Sequence, residues 1–420
     1  MSSTRPAYQV RTVQCDYRSS DEEVYQALKR ATDPLVHAWE KLQRARTIAI
    51  KFNQDKMYKA MVMYNERHRQ QLVSDCVARA LLRLLRERTK AHIYCIDVSF
   101  YQTYSGAVKD STTNLLPVLK EFDVEYVNGN MGDVRMVSVP GGGLMFDKYP
   151  LHQRAVEADA FISVQKLKTH AFMGVTLCLK NLFGLMPTQP LGRPRFYYHH
   201  LVRMPYMLAD LGKIYNPTLN ILDGLVTQTG EEWGRGENPL VCNTLVAGDQ
   251  VIATDAVGAY MMGHDPQSDW LTEPFHRDRN ALLCAAEGGF GTVDLNSIDW
   301  QSEVPAPVGK FFAKITDSRD TVISWRRTTA EQAMHYIDHR KEMVSKYAGE
   351  YILLQMGEVK WHDRSGVLDR SRRVLSGAHP EQAMWFKYVD PEEDENEHIE
   401  VYEHTLKTIK QMQETPVFAK

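Results

Sequence analysis

Short apolar segments alternate with amphipathic ones through the first two thirds of the chain. Strands are predicted at residues 47–53, 91–97, 124–127, 160–164 and 218–224, where apolar residues run consecutively. Between the first two, apolar residues recur every three or four positions, as on one face of a helix: Leu72, Val73, Cys76, Val77, Ala80, Leu81, Leu84 and Leu85. Further helices are predicted at 114–119, 151–157, 180–183 and 251–262. This order predicts right-handed crossovers between parallel strands, and hence an α/β fold with a mostly parallel sheet and flanking helices.

From about residue 328 the pattern changes. A charged helix is predicted at 328–347, followed by strands at 350–355 and 358–361 that a Met-Gly turn joins. The remaining predicted elements are a helix at 368–375, a strand at 383–389, an acidic loop at 390–395 and a polar helix with the character of a solvated tail. We therefore predict two domains: an α/β domain at 1–325, which can form two lobes, and a small α+β module at 326–420.

Composition and charge narrow the classes of function. The 420 residues are 43% hydrophobic and 25% charged, which is typical of a globular protein. The formal net charge is -3, so the basic excess of a nucleic-acid binder is missing and no such partner is expected. No apolar run is long enough for a spanning helix and the first residues lack an export segment, so we expect a cytoplasmic protein without membrane contact. The six cysteines form no C-x-x-C pair, so no iron–sulfur cluster is expected.

Polar side chains stand where the predicted strands end. Asn53, Asp97 and Asp223 each close an apolar segment. The strand at 160–164 is followed by a run that contains Lys166, Lys168 and His170. In open α/β sheets the ligand crevice lies at the carboxyl ends of the strands, so these positions predict a binding site.

The cationic run predicts an anionic ligand. In extended backbone, alternate residues share one face and lie about 6–7 Å apart, so Lys166, Lys168 and His170 would face the same way. The helix that carries Lys180 and Asn181 would add backbone N–H groups, which also favour an anion. We predict that these residues bind a small anionic substrate or cofactor and that Lys168 and His170 take part in catalysis. Alternatively, the lysines are solvated and the histidine only packs.

Carboxylates supply a second candidate chemistry. Asp223, together with Glu231 or Glu232 in a glycine-broken loop, would act as a general base or, with His170, hold a divalent metal. The alternative is that Asp223 forms a turn and the loop is solvated.

A proline-rich loop follows the cationic run. It carries His199 and His200 beside Arg193 and Arg195. Such a loop either covers the substrate or forms plain surface, and we include both histidines among the binding candidates.

Parts of the chain resemble a known family, the domain of unknown function 362 family. The central resemblance is the run Lys166-Leu167-Lys168-Thr169-His170, Gly174-Val175-Thr176 and Leu179-Lys180-Asn181-Leu182-Phe183-Gly184. In addition, Ile50-Lys51-Phe52-Asn53 resembles the family's Lys-Pro-Asn strand, and Leu219-Asn220-Ile221-Leu222-Asp223-Gly224 its Asp-Gly strand. The resemblance covers about residues 40–295 and implies that Lys51 belongs to the site.

The family suggests a class of reaction and leaves the substrate open. Many members carry a ferredoxin-type cysteine cluster, which this chain lacks. The fold resembles that of the lactate racemase group, which implies metal-assisted proton or hydride transfer on a small acid, as in an isomerase or oxidoreductase. Residues 347–359 resemble a second family, the domain of unknown function 5678 family. The alternative function is a non-catalytic ligand-binding or scaffold protein whose residues 326–420 recruit a protein partner.

Overall fold

The computed structural model describes residues 8–54, 62–98, 113–189, 191–230, 238–377 and 384–414. Its strands are β1 (Tyr8–Gln14), β2 (Thr47–Phe52), β3 (His92–Asp97), β4 (Glu125–Asn128), β5 (Val134–Ser138), β6 (Lys148–His152), β7 (Ala160–Lys166), β8 (Lys168–His170), β9 (Gly174–Thr176), β10 (Leu219–Gln228), β11 (Pro239–Gly248), β12 (Ile298–Ser302), β13 (Tyr351–Gln355), β14 (Glu358–Asp363) and β15 (Trp385–Tyr388). The α-helices are Asp21–Thr32, Val36–Arg44, Asp75–Arg88, Leu116–Glu121, Gln153–Val156, Cys178–Asn181, Arg195–Tyr198, Arg203–Tyr215, Val251–Met261, Ala281–Glu287, Arg319–Asp338, Arg340–Tyr347, Arg372–Leu375 and Glu400–Glu414. Short 3₁₀ helices lie at Leu182–Leu185 and Leu295–Ser297.

The main sheet has eight strands in the order β12-β1-β11-β10-β7-β2-β3-β4. Strand β11 is antiparallel to both of its neighbours, and every other pair in the sheet is parallel. The predicted α/β class with a mostly parallel sheet is confirmed. The predicted strands at 47–53, 91–97 and 160–164 correspond to β2, β3 and β7.

The strand order changes direction between β2 and β7. From β2 the chain proceeds outward to β3 and β4, and it then returns to place β7 and β10 on the other side of β2. Such a switch point opens a crevice at the carboxyl ends of the two diverging strands, because their crossovers lie on opposite faces.

Two apolar cores cover the two faces of the sheet. One core joins the helices Asp21–Thr32 and Asp75–Arg88 to Ile50 and Phe52 of β2 and Val164 of β7. The other joins Ala49 of the same strand to the helices Arg203–Tyr215 and Val251–Met261. Successive residues of a strand face opposite ways, so each polar residue near a strand end can be assigned to one of these faces.

The C-terminal part is built on a separate antiparallel sheet of order β14-β13-β15. The helix Arg319–Asp338 runs through the predicted boundary between residues 325 and 326, and a second helix, Arg340–Tyr347, follows where one continuous helix was predicted. The buried residues of this sheet belong to the same core cluster as helix Arg203–Tyr215. The division into two domains stays a prediction.

The last helix, Glu400–Glu414, differs from the predicted solvated tail. It buries Val401, Tyr402, Thr405 and Ile409, which recur at helical spacing on one face. The prediction failed because the polar residues between these positions dominate the composition. Among the described residues, no helix combines the length and the apolar character that crossing a bilayer requires.

Candidate functional site

Asn181 ties the two diverging strands together at the switch point. Its Nδ2 donates to the carbonyl of Lys51 in β2 at 3.0 Å and to Ser163 Oγ and the Val164 carbonyl in β7 at 3.0 and 3.2 Å. The backbone N–H of Asn53 donates to the same Val164 carbonyl at 2.9 Å. The side-chain oxygens of Asn53 and Asn181 are buried without a hydrogen-bond partner. The predicted binding residue Asn181 therefore holds the short helix Cys178–Asn181 on the crevice.

Lys51 and Asp97 form a buried ion pair at this edge of the sheet. Lys51 Nζ lies 2.9 Å from Asp97 Oδ1, and both side chains are 3% exposed. The same ammonium donates to the Phe52 carbonyl at 2.8 Å. A Cβ at Gly184 would lie 2.6 Å from Lys51 Cε, so a larger residue there would force the Lys51 side chain to shift. The structure thus joins the ends of β2 and β3 through this ion pair.

Basic side chains converge on the buried ring of Phe183. Lys180 Nζ lies 4.9 Å and Arg195 Cζ 4.6 Å from the centre of this ring. The imidazole of His199 meets the ring edge-on at 5.5 Å, and the His170 ring lies 6.4 Å from that of His199. We call Lys180, Arg195, His170 and His199 the basic cluster. Cations on an aromatic face are attracted by its quadrupole, and several of them together favour an anion.

The basic cluster continues through a second aromatic ring that the sequence analysis missed. The Phe172 ring lies 5.0 Å from that of His199, and Arg277 Cζ lies 5.4 Å from the centre of the Phe172 ring. The Arg277 guanidinium is also 5.4 Å from the ring of Trp325 and 3.6 Å from Asp317. No local pattern marks these residues, because they come from segments that are remote in sequence.

His170 is held in one orientation. Its Nδ1 accepts the backbone N–H groups of Phe172 and Met173 at 3.0 and 3.1 Å, and the residue is 6% exposed. A neutral ring in this arrangement carries its proton on Nε2. Lys168 lies two residues earlier in the same hairpin, opposite Thr176, and is 4% exposed.

Lys166 lies on the other face of the sheet, contrary to the predicted single row of cations. It continues the alternation of Val164, which faces the core under helix Asp75–Arg88. Its ammonium donates to Asp223 Oδ2 at 2.7 Å, to Ser74 Oγ at 3.2 Å and to the Val226 carbonyl at 3.0 Å. Strand β7 ends at Lys166, and Lys168 and His170 belong to the separate strand β8. The three residues therefore do not form the predicted i, i+2, i+4 row along one strand.

Asp223 is fully buried against Lys166, with both side chains 0% exposed. Its carboxylate also accepts the backbone N–H groups of Ser74 and Leu225 at 2.9 and 3.1 Å. Burial alone would raise the pKa of Asp223, but the Lys166 ammonium outweighs it and the pKa lies below its ordinary value. This packing argues against the predicted base or metal ligand and gives Asp223 a place in the core.

The predicted metal set is incomplete in the described part of the chain. Glu231 and Glu232 lie outside the described residues. Within the described ranges, no three His, Cys, Asp or Glu side chains are grouped so that they could hold a metal ion. Metal assistance stays a prediction.

His199 and His200 point to different parts of the structure. His199 belongs to the basic cluster, whereas His200 is 3% exposed and its Nε2 accepts the backbone N–H of Phe386 at 3.4 Å. Burial and the nearby Arg203 lower the pKa of His200 to about 3. The predicted substrate-covering role of His200 is therefore corrected to an attachment of the C-terminal sheet.

Asp255 fixes the start of the helix that carries Lys180. Its two oxygens accept the backbone N–H groups of Cys178 and Leu179 at 2.9 and 2.7 Å. Asp255 lies within helix Val251–Met261, whose own start is capped by Gln250. Burial raises the pKa of Asp255 to about 8, although the two amides favour the charged form.

This raised pKa predicts a pH dependence of stability. Between the ordinary value of 3.8 and about 8, the folded chain binds a proton at Asp255 that the unfolded chain releases, so stability falls as pH rises through this window. We expect Asp255→Asn to remove part of that slope. Urea unfolding of both proteins at about pH 5 and about pH 8 measures it; identical slopes would contradict the raised pKa.

Comparisons with known proteins agree with part of the sequence-based family prediction. Residues 57–260 match the family model described as Domain of unknown function (DUF362), which is just under half of the chain. This match includes the whole basic cluster. No finding bears on the second family predicted at 347–359.

Two further similarities are partial. The thylakoid-associated protein sll1697 of Synechocystis is 31% identical over 156 residues, which are 36% of this chain and 46% of that relative. The chain thus matches less than half of the relative's length. The lactate racemase apoprotein from Thermoanaerobacterium thermosaccharolyticum is 13% identical, with a TM-score of 0.33 over 60% of this chain and 56% of that chain. At this TM-score the likeness carries no argument about fold or reaction.

Proposed function

We propose that this chain binds a small molecule through a phosphate or carboxylate group held by the basic cluster. The observation that carries the proposal is the convergence of Lys180 and Arg195 on the ring of Phe183, with His199 at its edge. Lys180 belongs to the helix Cys178–Asn181 and Arg195 to the helix Arg195–Tyr198 in the proline-rich loop, so two separate elements present cations to one ring.

The position of the cluster supports the same proposal. Lys180 directly precedes Asn181, which is hydrogen-bonded to both strands at the switch point. Open α/β sheets bind ligands at this edge. The buried Asn53 and Asn181 oxygens add two hydrogen-bond acceptors nearby, which suit a ligand that carries a hydroxyl or amino group beside its anionic group.

We further propose that the chain is an enzyme that moves a proton to or from its substrate. His170 would be the group that donates or accepts this proton. The fixed Nδ1 orients the imidazole, and an oriented imidazole is an effective acid or base near neutral pH. With Asp223 held in the core, His170 is the described cluster residue best suited to this step. Lys168, two residues away in the hairpin, stays a catalytic candidate.

The scaffold alternative gains no specific support. Within residues 326–420, Glu393 and Glu395 of the acidic loop and Glu397 after it form ion pairs inside the chain. Recruitment of a protein partner by residues 326–420 stays a prediction.

Isothermal titration with inorganic phosphate and, separately, with acetate tests the proposed function. We expect saturable binding of at least one probe. Lys180→Met and Arg195→Met should each weaken it by about tenfold, because each removes a charge-assisted contact.

Arg44→Met is the matched control, since its side chain is 82% exposed and lies on a helix of the opposite core. Its affinity should equal that of the unmodified protein. Absence of binding for both probes, or equal affinity in all four proteins, would overturn the proposal.

A further inference from the structure

We infer that Glu395, in the C-terminal acidic loop, is a positioning residue for the basic cluster. It acts on the loop of residues 193–200, which we call the arginine loop and which presents Arg195 and His199. The expected effect of Glu395 on anion binding rests on the proposed function. The physical link itself is a set of contacts between Glu395 and the arginine loop.

Glu395 is buried and reached by three side chains of the arginine loop. Arg193 donates to Glu395 Oε2 through Nε at 3.2 Å and through its terminal nitrogen at 3.0 Å. The hydroxyl of Tyr198 donates to Oε1, and that of Tyr197 donates to Oε2 at 3.4 Å. A charged acceptor that gathers several donors is a strong tether, because the hydrogen bonds form away from water.

Glu395 is itself fixed to the main body of the chain. Its carbonyl accepts the backbone N–H of Asp147 at 2.9 Å. The neighbouring Asp394 pairs with Lys148 at 2.7 Å, and Asn396 donates to the Asp147 carboxylate at 2.6 Å. The segment that carries this carboxylate is therefore attached to residues 147 and 148 through three contacts.

Tethered and cluster residues alternate along the arginine loop. Arg193, Tyr197 and Tyr198 are tied to Glu395, while Arg195 and His199, between and after them, reach Phe183. These tethers hold the backbone on both sides of Arg195 and directly before His199. Arg195 and His199 consequently depend on a carboxylate almost two hundred positions away in sequence.

Further attachments close the end of the arginine loop. His200 accepts the backbone N–H of Phe386 at 3.4 Å, and the backbone N–H of Val202 donates to Asp278 at 2.8 Å. The C-terminal sheet and the acidic loop thus both form hydrogen bonds with the arginine loop. By holding the arginine loop, this part of the chain orders the anion site.

Phosphate titration and amide hydrogen exchange on the full chain test the inference. Glu395→Gln should weaken phosphate binding by about tenfold, because a neutral amide holds the Arg193 guanidinium less strongly than a carboxylate does. It should also speed exchange of the backbone amides of residues 197–200. Tyr198→Phe removes one hydroxyl that donates to Glu395. It should change phosphate affinity and amide exchange in the same directions as Glu395→Gln, but by smaller amounts.

Two controls separate positioning from general stability. Glu392→Gln changes an exposed residue of the same acidic loop and should change neither readout. Leu85→Ala lowers the urea midpoint through the opposite core and should leave phosphate affinity within about twofold.

Unchanged affinity and exchange in Glu395→Gln would overturn the inference, as would an equal loss of affinity in Leu85→Ala. If the unmodified protein binds neither phosphate nor acetate, the proposed function fails, and exchange at 197–200 alone decides whether Glu395 positions the loop.

Discussion

Lys166→Met is expected to lower the free energy of unfolding by about 3–5 kcal/mol, because it leaves the buried Asp223 carboxylate without its cation. The pair joins atoms 2.7 Å apart in two side chains with no exposure. Urea unfolding followed by circular dichroism measures the loss. This is the result for a core ion pair, whereas a solvated ligand-binding lysine would change stability little.

Lys29→Met is the matched control for this prediction. Lys29 and Asp33 are also 2.7 Å apart, but each side chain is 40% exposed. Water screens that pair, so its loss should cost no more than about 1 kcal/mol. Equal effects of the two substitutions would contradict the assignment of Lys166 to the core.

The Lys166–Asp223 pair also predicts how the stability of the protein changes in acid. The folded-state pKa of Asp223 lies below its ordinary value, so the pair contributes its full stability above that ordinary value. The contribution is lost as pH falls through the folded-state pKa. The difference in free energy of unfolding between the unmodified protein and Lys166→Met should therefore become smaller in acid.

Glu397→Gln is expected to have an effect of similar size, about 3–5 kcal/mol, because one buried carboxylate neutralises two buried cations. Glu397 lies 2.7 Å from Arg203 and 2.9 Å from Lys387, and the Glu397 side chain is 1% exposed. Burial would raise the pKa of Glu397, yet the two cations lower it to about 2.

Urea unfolding again gives the comparison, with Glu403→Gln as the control. Glu403 is exposed on the helix that follows, so its substitution should stay within about 0.5 kcal/mol. A loss below about 1 kcal/mol for Glu397→Gln would contradict a buried ion-pair network at Glu397.

The sheet could be predicted because its strands are marked locally. Consecutive apolar residues at 47–53, 91–97 and 160–164 need no knowledge of tertiary contacts, and β2, β3 and β7 lie there. The antiparallel strand β11 and the two helices in place of 328–347 depend on contacts between remote segments. The buried face of Glu400–Glu414 was hidden for a different reason, since its four buried residues, one of them Thr405, are diluted by a polar composition.

The candidate site was predicted only in part. The sequence locates the cations near one strand end, but it does not say which of them are neutralised inside the fold. Lys166 is paired with Asp223, and Lys51 with Asp97, because strand alternation and the neighbouring strand decide the partner. Phe183 is apolar and Arg277 is remote in sequence from the cationic run, so their place beside the other side chains is visible only through distances in the structure.

Anomalous diffraction from crystals soaked in selenate tests the basic cluster most directly, since selenate has the shape and charge of phosphate. The expected result is a selenium peak between Lys180 and Arg195, beside the ring of Phe183. Selenium peaks confined to other surfaces, with none within contact of Lys180 or Arg195, would contradict an anion site at the switch point of the sheet.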